Sequence, residues 1–151
     1  MDQRTQPPAY EQGQDIRDRA FDFACCVVNF CQKLYDAGGV SRMMVPQLLD
    51  CSTSVPSMLE EARAAESRRD FISKCYIGLK ECRESWTRLR ICVTCRLGPQ
   101  QEGASLAKEA GELVAIIGAI VRNTRRNAPL PPPRRRRVQS RMEGQSRIPN
   151  S

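Results

Sequence analysis

The residues best suited to chemistry in this sequence are its eight cysteines, four of which lie between Cys75 and Cys95. Cysteine thiolates bind metal ions or exchange disulfides, whereas protonated cysteines pack as small apolar side chains. The chain has no histidine, which removes the commonest metal ligand and the commonest general acid or base near neutral pH. Three interpretations are open for the sulfur atoms: a metal site, a redox pair, or part of a hydrophobic core.

Most of the cysteines occupy positions that favour the core. At about 100° per residue, Cys75 and Cys82 share one helical face with Phe71, Leu79 and Leu89. Cys31 and Cys51 lie on apolar stripes of two earlier predicted helices, and free cysteine is among the most buried residue types. We therefore expect these four thiols to pack between helices.

The pair Cys92 and Cys95 forms a CxxC motif, which is the better candidate for redox chemistry. Reactive CxxC pairs lie at helix N-termini, where the helix dipole stabilises the thiolate. This pair falls in the last turns of a predicted helix, where the dipole opposes the thiolate. A zinc site would need two more ligands, which Cys25 and Cys26 could supply only if the helix ends meet. Packing is the favoured interpretation, and we expect no cofactor and no metal.

The elements that must position these side chains are four predicted helices, at about residues 15–37, 41–63, 67–97 and 105–127. In the first, Ile16, Ala20, Phe23, Val27, Phe30 and Leu34 step by four and three residues, the spacing of one helical face. Ser67, three residues before Asp70, predicts an N-cap for the third. Residues 15–127 are therefore predicted to form an all-α, antiparallel up-down-up-down four-helix bundle.

The two ends of the chain lack this periodicity. Residues 1–14 and the Pro- and Arg-rich residues 128–151 are expected to be disordered. Nine arginines and one acidic residue, Glu143, lie between Arg122 and Arg147, so the net charge of +7 belongs to the C-terminal end. Such a cluster binds phosphate groups through bidentate hydrogen bonds and counterion release. We predict that the nucleic-acid phosphate contacts are made by Arg122, Arg125, Arg126, Arg134, Arg135, Arg136 and Arg137. The alternative is a solvated tail that only aids solubility.

A weaker apolar stripe follows the far side of the third helix, through Ile77, Glu84, Ile91 and Cys95. Scattered surface apolarity is common and explains it without any function. The alternative is a contact between protomers, because a bundle helix needs only one face for its own core. We predict an oligomer interface there.

Other classes of function have little support. The longest nearly apolar run, from Leu113 to Val121, is too short to cross a bilayer, and the N-terminus has no apolar leader, so no membrane association and a cytoplasmic location are expected. Glu60, Glu61 and Glu66 alternate with arginines, which is typical of surface ion pairs. No nucleotide-binding or metalloprotease motif occurs. We expect a protein that is not an enzyme.

Residues 47–91 resemble the bacterial four-helix-bundle proteins known from intervening sequences in the 23S ribosomal RNA gene. Their pattern, approximately QLxxxxTSxxxNxxEAxxAESxxDFxxKxxIxxKExxE, is met here by Gln47, Leu48, Thr53, Ser54, Glu61, Ala62, Ala65, Glu66, Ser67, Asp70, Phe71, Lys74, Ile77, Lys80, Glu81 and Glu84. Met58 stands where the family usually has Asn.

The resemblance implies a bundle that assembles into a ring, similar to the pentamer of the related accessory proteins of diversity-generating retroelements. Those relatives bind nucleic acid together with a reverse transcriptase. Our leading hypothesis is therefore a homo-oligomeric, bacterial accessory protein that binds RNA or DNA. The second is a protein-protein scaffold, for example for a reverse transcriptase, in which the tail only aids solubility.

Overall fold

All regular secondary structure in the described part of the chain is helical. The computed structural model describes residues 14–127, so the predictions for residues 1–13 and 128–151 lie outside the described residues. Four long helices and one short helix follow each other, with the bounds α1 Ile16–Ala37, α2 Gly39–Met43, α3 Val45–Arg63, α4 Arg68–Thr94 and α5 Gln100–Arg126.

The four long helices form an antiparallel bundle in which each packs against two others: α1 against α3, α3 against α4, α4 against α5, and α5 against α1. Ion pairs at 4.0 Å from Arg17 to Glu60 and at 2.6 Å from Lys33 to Glu102 fix the antiparallel directions of α3 and α5 relative to α1. α1 and α4 are therefore parallel and lie at diagonally opposite corners. The predicted all-α, up-down-up-down bundle is confirmed.

The ends of α4 carry specific caps. The hydroxyl of Ser67 accepts a hydrogen bond from the amide of Asp70 at 3.1 Å, as the sequence predicts. At the other end, the amides of Leu97 and Arg96 donate to the carbonyls of Cys92 and Val93. This is a Schellman motif, and it ends α4 at Thr94, before the predicted limit at residue 97.

Two further predicted helices have different bounds in the structure. The second begins as α2 at Gly39 and restarts as α3 at Val45, because Pro46 has no amide hydrogen to continue the bonds of α2. The last helix begins at Gln100 instead of Ser105. The prediction began too late because the first turn lacks the apolar spacing that marks the rest of the helix. Gly103 in this turn lies against Phe30, and a Cβ there would be 3.3 Å from the ring.

The core is apolar except for two polar contacts. The buried hydroxyl of Ser52 on α3 donates a hydrogen bond to the buried hydroxyl of Ser85 on α4. Glu109 on α5 is 6% exposed and accepts two hydrogen bonds from Arg19 on α1, at 2.6 Å from Nε and 3.0 Å from Nη2. This bidentate pair satisfies a carboxylate that would otherwise be costly to bury.

Candidate nucleic-acid interface

Most of the cysteines pack in the core, but Cys25 and Cys95 are exposed, so the expected packing of Cys95 is wrong. Five of them are buried and unpaired, namely Cys31, Cys51, Cys75, Cys82 and Cys92. Burial raises the pKa of the Cys31 and Cys82 thiols to about 12, so both are protonated at neutral pH. Burial also raises the pKa of the Cys92 thiol, which opposes a reactive thiolate in the CxxC pair.

A zinc site from the two cysteine pairs does not form. Cys25 and Cys26 lie on α1, whereas Cys92 and Cys95 belong to the diagonally opposite helix α4 and its end. Within residues 14–127, no group of three or more Cys, Asp or Glu side chains could hold a metal ion. No helix in this same stretch is long and apolar enough to cross a membrane.

The basic residues at the end of α5 form the strongest candidate site. Arg122, Arg125 and Arg126 are exposed in its last turns, beyond the last buried residue, Val121. Cations are favourable at a helix C-terminus because its unpaired carbonyls carry partial negative charge. The structure thus places these three predicted residues together. The predicted contacts Arg134, Arg135, Arg136 and Arg137 lie outside the described residues.

Helix α4 adds an aromatic ring and a second cation to this site. Two cations approach the Tyr76 ring: the guanidinium carbon of Arg125 is 5.3 Å from the ring centroid, and Nζ of Lys80 is 4.9 Å from it. Both distances are within the range of cation-π interactions. Tyr76 is 40% exposed, so part of its ring faces solvent. We call Tyr76, Lys80, Arg122, Arg125 and Arg126 the basic cluster.

The guanidinium of Arg122 lies close to Gly118. A Cβ on Gly118 would be 3.2 Å from Nη1 of Arg122, one turn further along α5. The missing side chain leaves room for the guanidinium to lie along the helix surface. No cation of the basic cluster pairs with a carboxylate of the described residues. The cluster therefore presents uncompensated positive charge.

A single hydrogen bond fixes the end of α5 against α4. The Arg68 guanidinium donates to the backbone carbonyl of Asn127. The start of α4 and the end of α5 therefore lie side by side, and Arg68 and Arg69 are both exposed beside the basic cluster. Sequence analysis missed Tyr76, Lys80 and these two arginines as site residues, although Tyr76 and Lys80 are four residues apart on one helix.

The predicted oligomer interface lies on a different part of α4. Ile77 is 40% exposed and Ile91 is 43% exposed, and Glu84 and Cys95 are also exposed on this outer surface. Glu84 pairs with Arg88 one turn away at 2.8 Å. We call Ile77, Glu84, Ile91 and Cys95 the α4 stripe.

Comparisons with known proteins agree with this fold. Residues 12–119 match the family described as 23S rRNA-intervening sequence protein. A solved structure from Bacteroides thetaiotaomicron, described as a protein with unknown function from the S23 ribosomal protein family, is similar with a TM-score of 0.65. The two chains are 28% identical, over 71% of this chain and 98% of that one. No curated protein matches the chain. The matched span ends before Arg122, so the arginines of the basic cluster lie beyond it.

Proposed function

The chain belongs to the 23S rRNA-intervening sequence protein family, and from this premise we propose that it is a non-enzymatic, self-associating accessory protein that binds RNA or DNA. The basic cluster contacts the phosphate backbone, and the α4 stripe contacts another copy of the chain. The arginines at positions 134 to 137 add further phosphate contacts. In an assembly, several basic clusters act together and increase the avidity without new contacts.

The observation that carries this proposal is the exposed positive charge around Tyr76, which no carboxylate of residues 14–127 pairs. Guanidinium groups bind phosphate bidentately, and release of condensed counterions gives such binding its affinity. An exposed tyrosine ring flanked by cations is also suited to stack on an unpaired base. The proposal thus includes two contributions, one from charge and one from stacking, which different variants can separate.

The charge contribution is tested by measuring the affinity of the full chain for labelled RNA and DNA of one sequence, single- and double-stranded, at several salt concentrations. The triple variant Arg122→Gln, Arg125→Gln, Arg126→Gln should bind more weakly, with a salt slope smaller by about three. Truncating the triple variant after Asn127 should reduce the affinity and the salt slope further. Lys108→Gln is the matched control, because Lys108 is an exposed cation of α5 outside the basic cluster.

The stacking contribution is tested with Tyr76→Leu. This variant should lose affinity for single strands by about tenfold, leave duplex affinity nearly unchanged, and keep the wild-type salt slope. If truncation and the triple variant both leave affinity and slope unchanged, the proposed binding mode is wrong. No binding at low salt, together with a protein partner that binds the intact chain, would favour the scaffold hypothesis.

A further inference from the structure

A second exposed apolar stripe lies on the outer face of α1, which sequence analysis did not identify. Phe21, Val28 and Tyr35 recur every seven residues and are 61%, 44% and 50% exposed. Cys25 and Gln32 lie between them, also exposed, so the steps along the helix are four, three, four and three residues. This is the spacing of one helical face. We call Phe21, Cys25, Val28, Gln32 and Tyr35 the α1 stripe.

Three residues of each stripe, Phe21, Val28 and Tyr35 on α1 and Ile77, Glu84 and Ile91 on α4, have the same period and length. Ile77, Glu84 and Ile91 also recur every seven residues. Each set of three spans two heptads, or about 21 Å of helix at 1.5 Å per residue. A seven-residue repeat is the spacing with which two helices pack side by side over several turns. The two stripes are thus matched in geometry.

The two stripes cannot meet within one chain. α1 packs on α3 and α5, and α4 also packs on α3 and α5, so α1 and α4 occupy opposite corners of the bundle. Their outer faces point away from each other. Within residues 14–127, neither stripe therefore covers the other.

The charges beside the stripes are complementary. Asp18, Asp22 and Asp36 form an acidic row along one side of the α1 stripe. Arg83 and Arg90 form a basic row beside the α4 stripe. None of these five residues makes an ion pair within residues 14–127.

The sides on which these rows lie also match. On a helical wheel, residues advance by about 100° each. The acidic row lies on the side of the α1 stripe that is reached by increasing this angle, and the basic row lies on the side of the α4 stripe that is reached by decreasing it. When two parallel helices pack face to face, these two sides come together. α1 and α4 have the same direction in the bundle, so copies related by rotation about an axis along the helices would pack them in parallel. The acidic row of one copy would then lie against the basic row of the next.

We propose that the α1 stripe of one copy of this chain packs in parallel on the α4 stripe of the next copy. This inference rests on the self-association in the proposed function and names the surface that covers the α4 stripe. The contact is heterologous, since two different faces meet. Repetition of a heterologous contact gives a closed ring when the rotation closes and a filament when it does not.

Mixing two variants of the full chain tests this pairing. Val28→Asp places an anion at the centre of the α1 stripe, where the matching central residue of the partner's α4 stripe is Glu84, and leaves its own α4 stripe intact. Ile91→Asp places an anion on the α4 stripe, against the apolar side chains of the partner's α1 stripe, and leaves its own α1 stripe intact. Each variant alone should be a monomer in sedimentation velocity and light scattering. An equimolar mixture should form a 1:1 dimer and no larger species.

Val40→Asp is the matched control, because Val40 is 64% exposed on α2 and belongs to neither stripe. It should assemble as the wild type does. Circular dichroism must show wild-type helicity for every variant, and Phe21→Lys with Ile77→Asp provides a second pair if one of the first variants fails to fold.

Other outcomes overturn the inference in distinguishable ways. If each variant alone forms a dimer, each stripe pairs with itself and the proposed pairing is wrong. If both variants assemble like the wild type, the contact between copies lies elsewhere, and self-association itself stands. If the wild type is a monomer at about 0.1 mM, self-association fails as well, whereas the nucleic-acid measurements above remain an independent test.

Discussion

The hydroxyl of Ser52 on α3 donates a hydrogen bond to the hydroxyl of Ser85 on α4 across 3.1 Å, and both residues are fully buried. Ser85 in turn lies 2.9 Å from the carbonyl oxygen of Glu81, one turn back along α4. The two helices are thus joined by a polar contact inside an apolar core. An unpaired hydroxyl at this depth is costly.

We expect Ser85→Ala to lower the free energy of unfolding by about 1–3 kcal/mol, because it leaves the buried Ser52 hydroxyl without its acceptor. The double variant Ser52→Ala, Ser85→Ala should cost less than the sum of the single variants. Urea unfolding followed by circular dichroism, combined in a double-mutant cycle, measures this coupling. Ser57→Ala is the control, since Ser57 is exposed. Strict additivity would show that the two hydroxyls do not interact.

Gly98→Ala should destabilise the protein more than Gly39→Ala. Both glycines have positive φ, +71° and +55°, where a side chain costs about 1–2 kcal/mol. A Cβ on Gly98 would also lie 2.8 Å from Leu34 and 3.0 Å from Phe30, both buried, whereas nothing lies within 4 Å of a Cβ on Gly39. Thermal unfolding of the two variants separates overpacking from backbone strain. Equal losses would contradict the close contact at Gly98.

Arg96→Gly should stabilise the protein by about 1 kcal/mol. Arg96 has a φ of +56° at the position of the Schellman motif that glycine usually occupies. Its exposed side chain makes no ion pair within the described residues, so little else is lost. The measurement is the urea midpoint at constant slope. A lower midpoint would show that the arginine side chain contributes a contact that outweighs the backbone strain.

Removing Glu109 should cost far more stability than removing Glu112, although both carboxylates bond to Arg19. Glu109 is buried, and breaking a buried pair costs up to about 3 kcal/mol. Glu112 has a half-exposed side chain, and such pairs contribute less than about 1 kcal/mol. The test compares Glu109→Ala with Glu112→Ala by chemical unfolding. Similar losses would mean that the burial of Glu109 has little energetic effect.

Only the thiols of Cys25 and Cys95 should react rapidly with a disulfide reagent in the folded chain at pH 8, since they are the exposed cysteines. Cys31 and Cys82, with pKa values of about 12, should react only on unfolding. Absorbance of the released thiolate gives the count, which should rise to eight in denaturant. Fast reaction of Cys92 would revive the redox interpretation. Since Cys25 and Cys95 lie on the two proposed contact stripes, their rates should fall as protein concentration rises.

The sequence allowed the bundle and its buried faces to be predicted because helical periodicity depends only on neighbours in the chain. The burial of Cys75 and Cys82 and the cap at Ser67 follow from such local patterns. The Glu109 partner could not be predicted this way, because Arg19 is 90 residues distant in sequence. The restart of α3 at Val45 could have been predicted from Pro46, which marks a break between helices, but apolar periodicity does not register such a break.

In the candidate sites too, features set by local sequence could be predicted, whereas contacts between helices could not. Arg122, Arg125 and Arg126 were predicted from charge density alone, and the structure shows them exposed at one helix end. Tyr76 was missed because its relation to Arg125 exists only once α4 and α5 pack together. The α1 stripe had a local signal, Phe21, Val28 and Tyr35 at seven-residue intervals, but the stronger periodicity of the buried face of the same helix concealed it.

Glu84 divides the outer face of α4 into two small apolar areas around Ile77 and Ile91. If two copies met through this face alone, their Glu84 carboxylates would approach each other in a region poor in water, and the repulsion would push the copies apart. We therefore expect two α4 stripes not to pair with each other, so that Glu84 selects the direction in which copies add to an assembly.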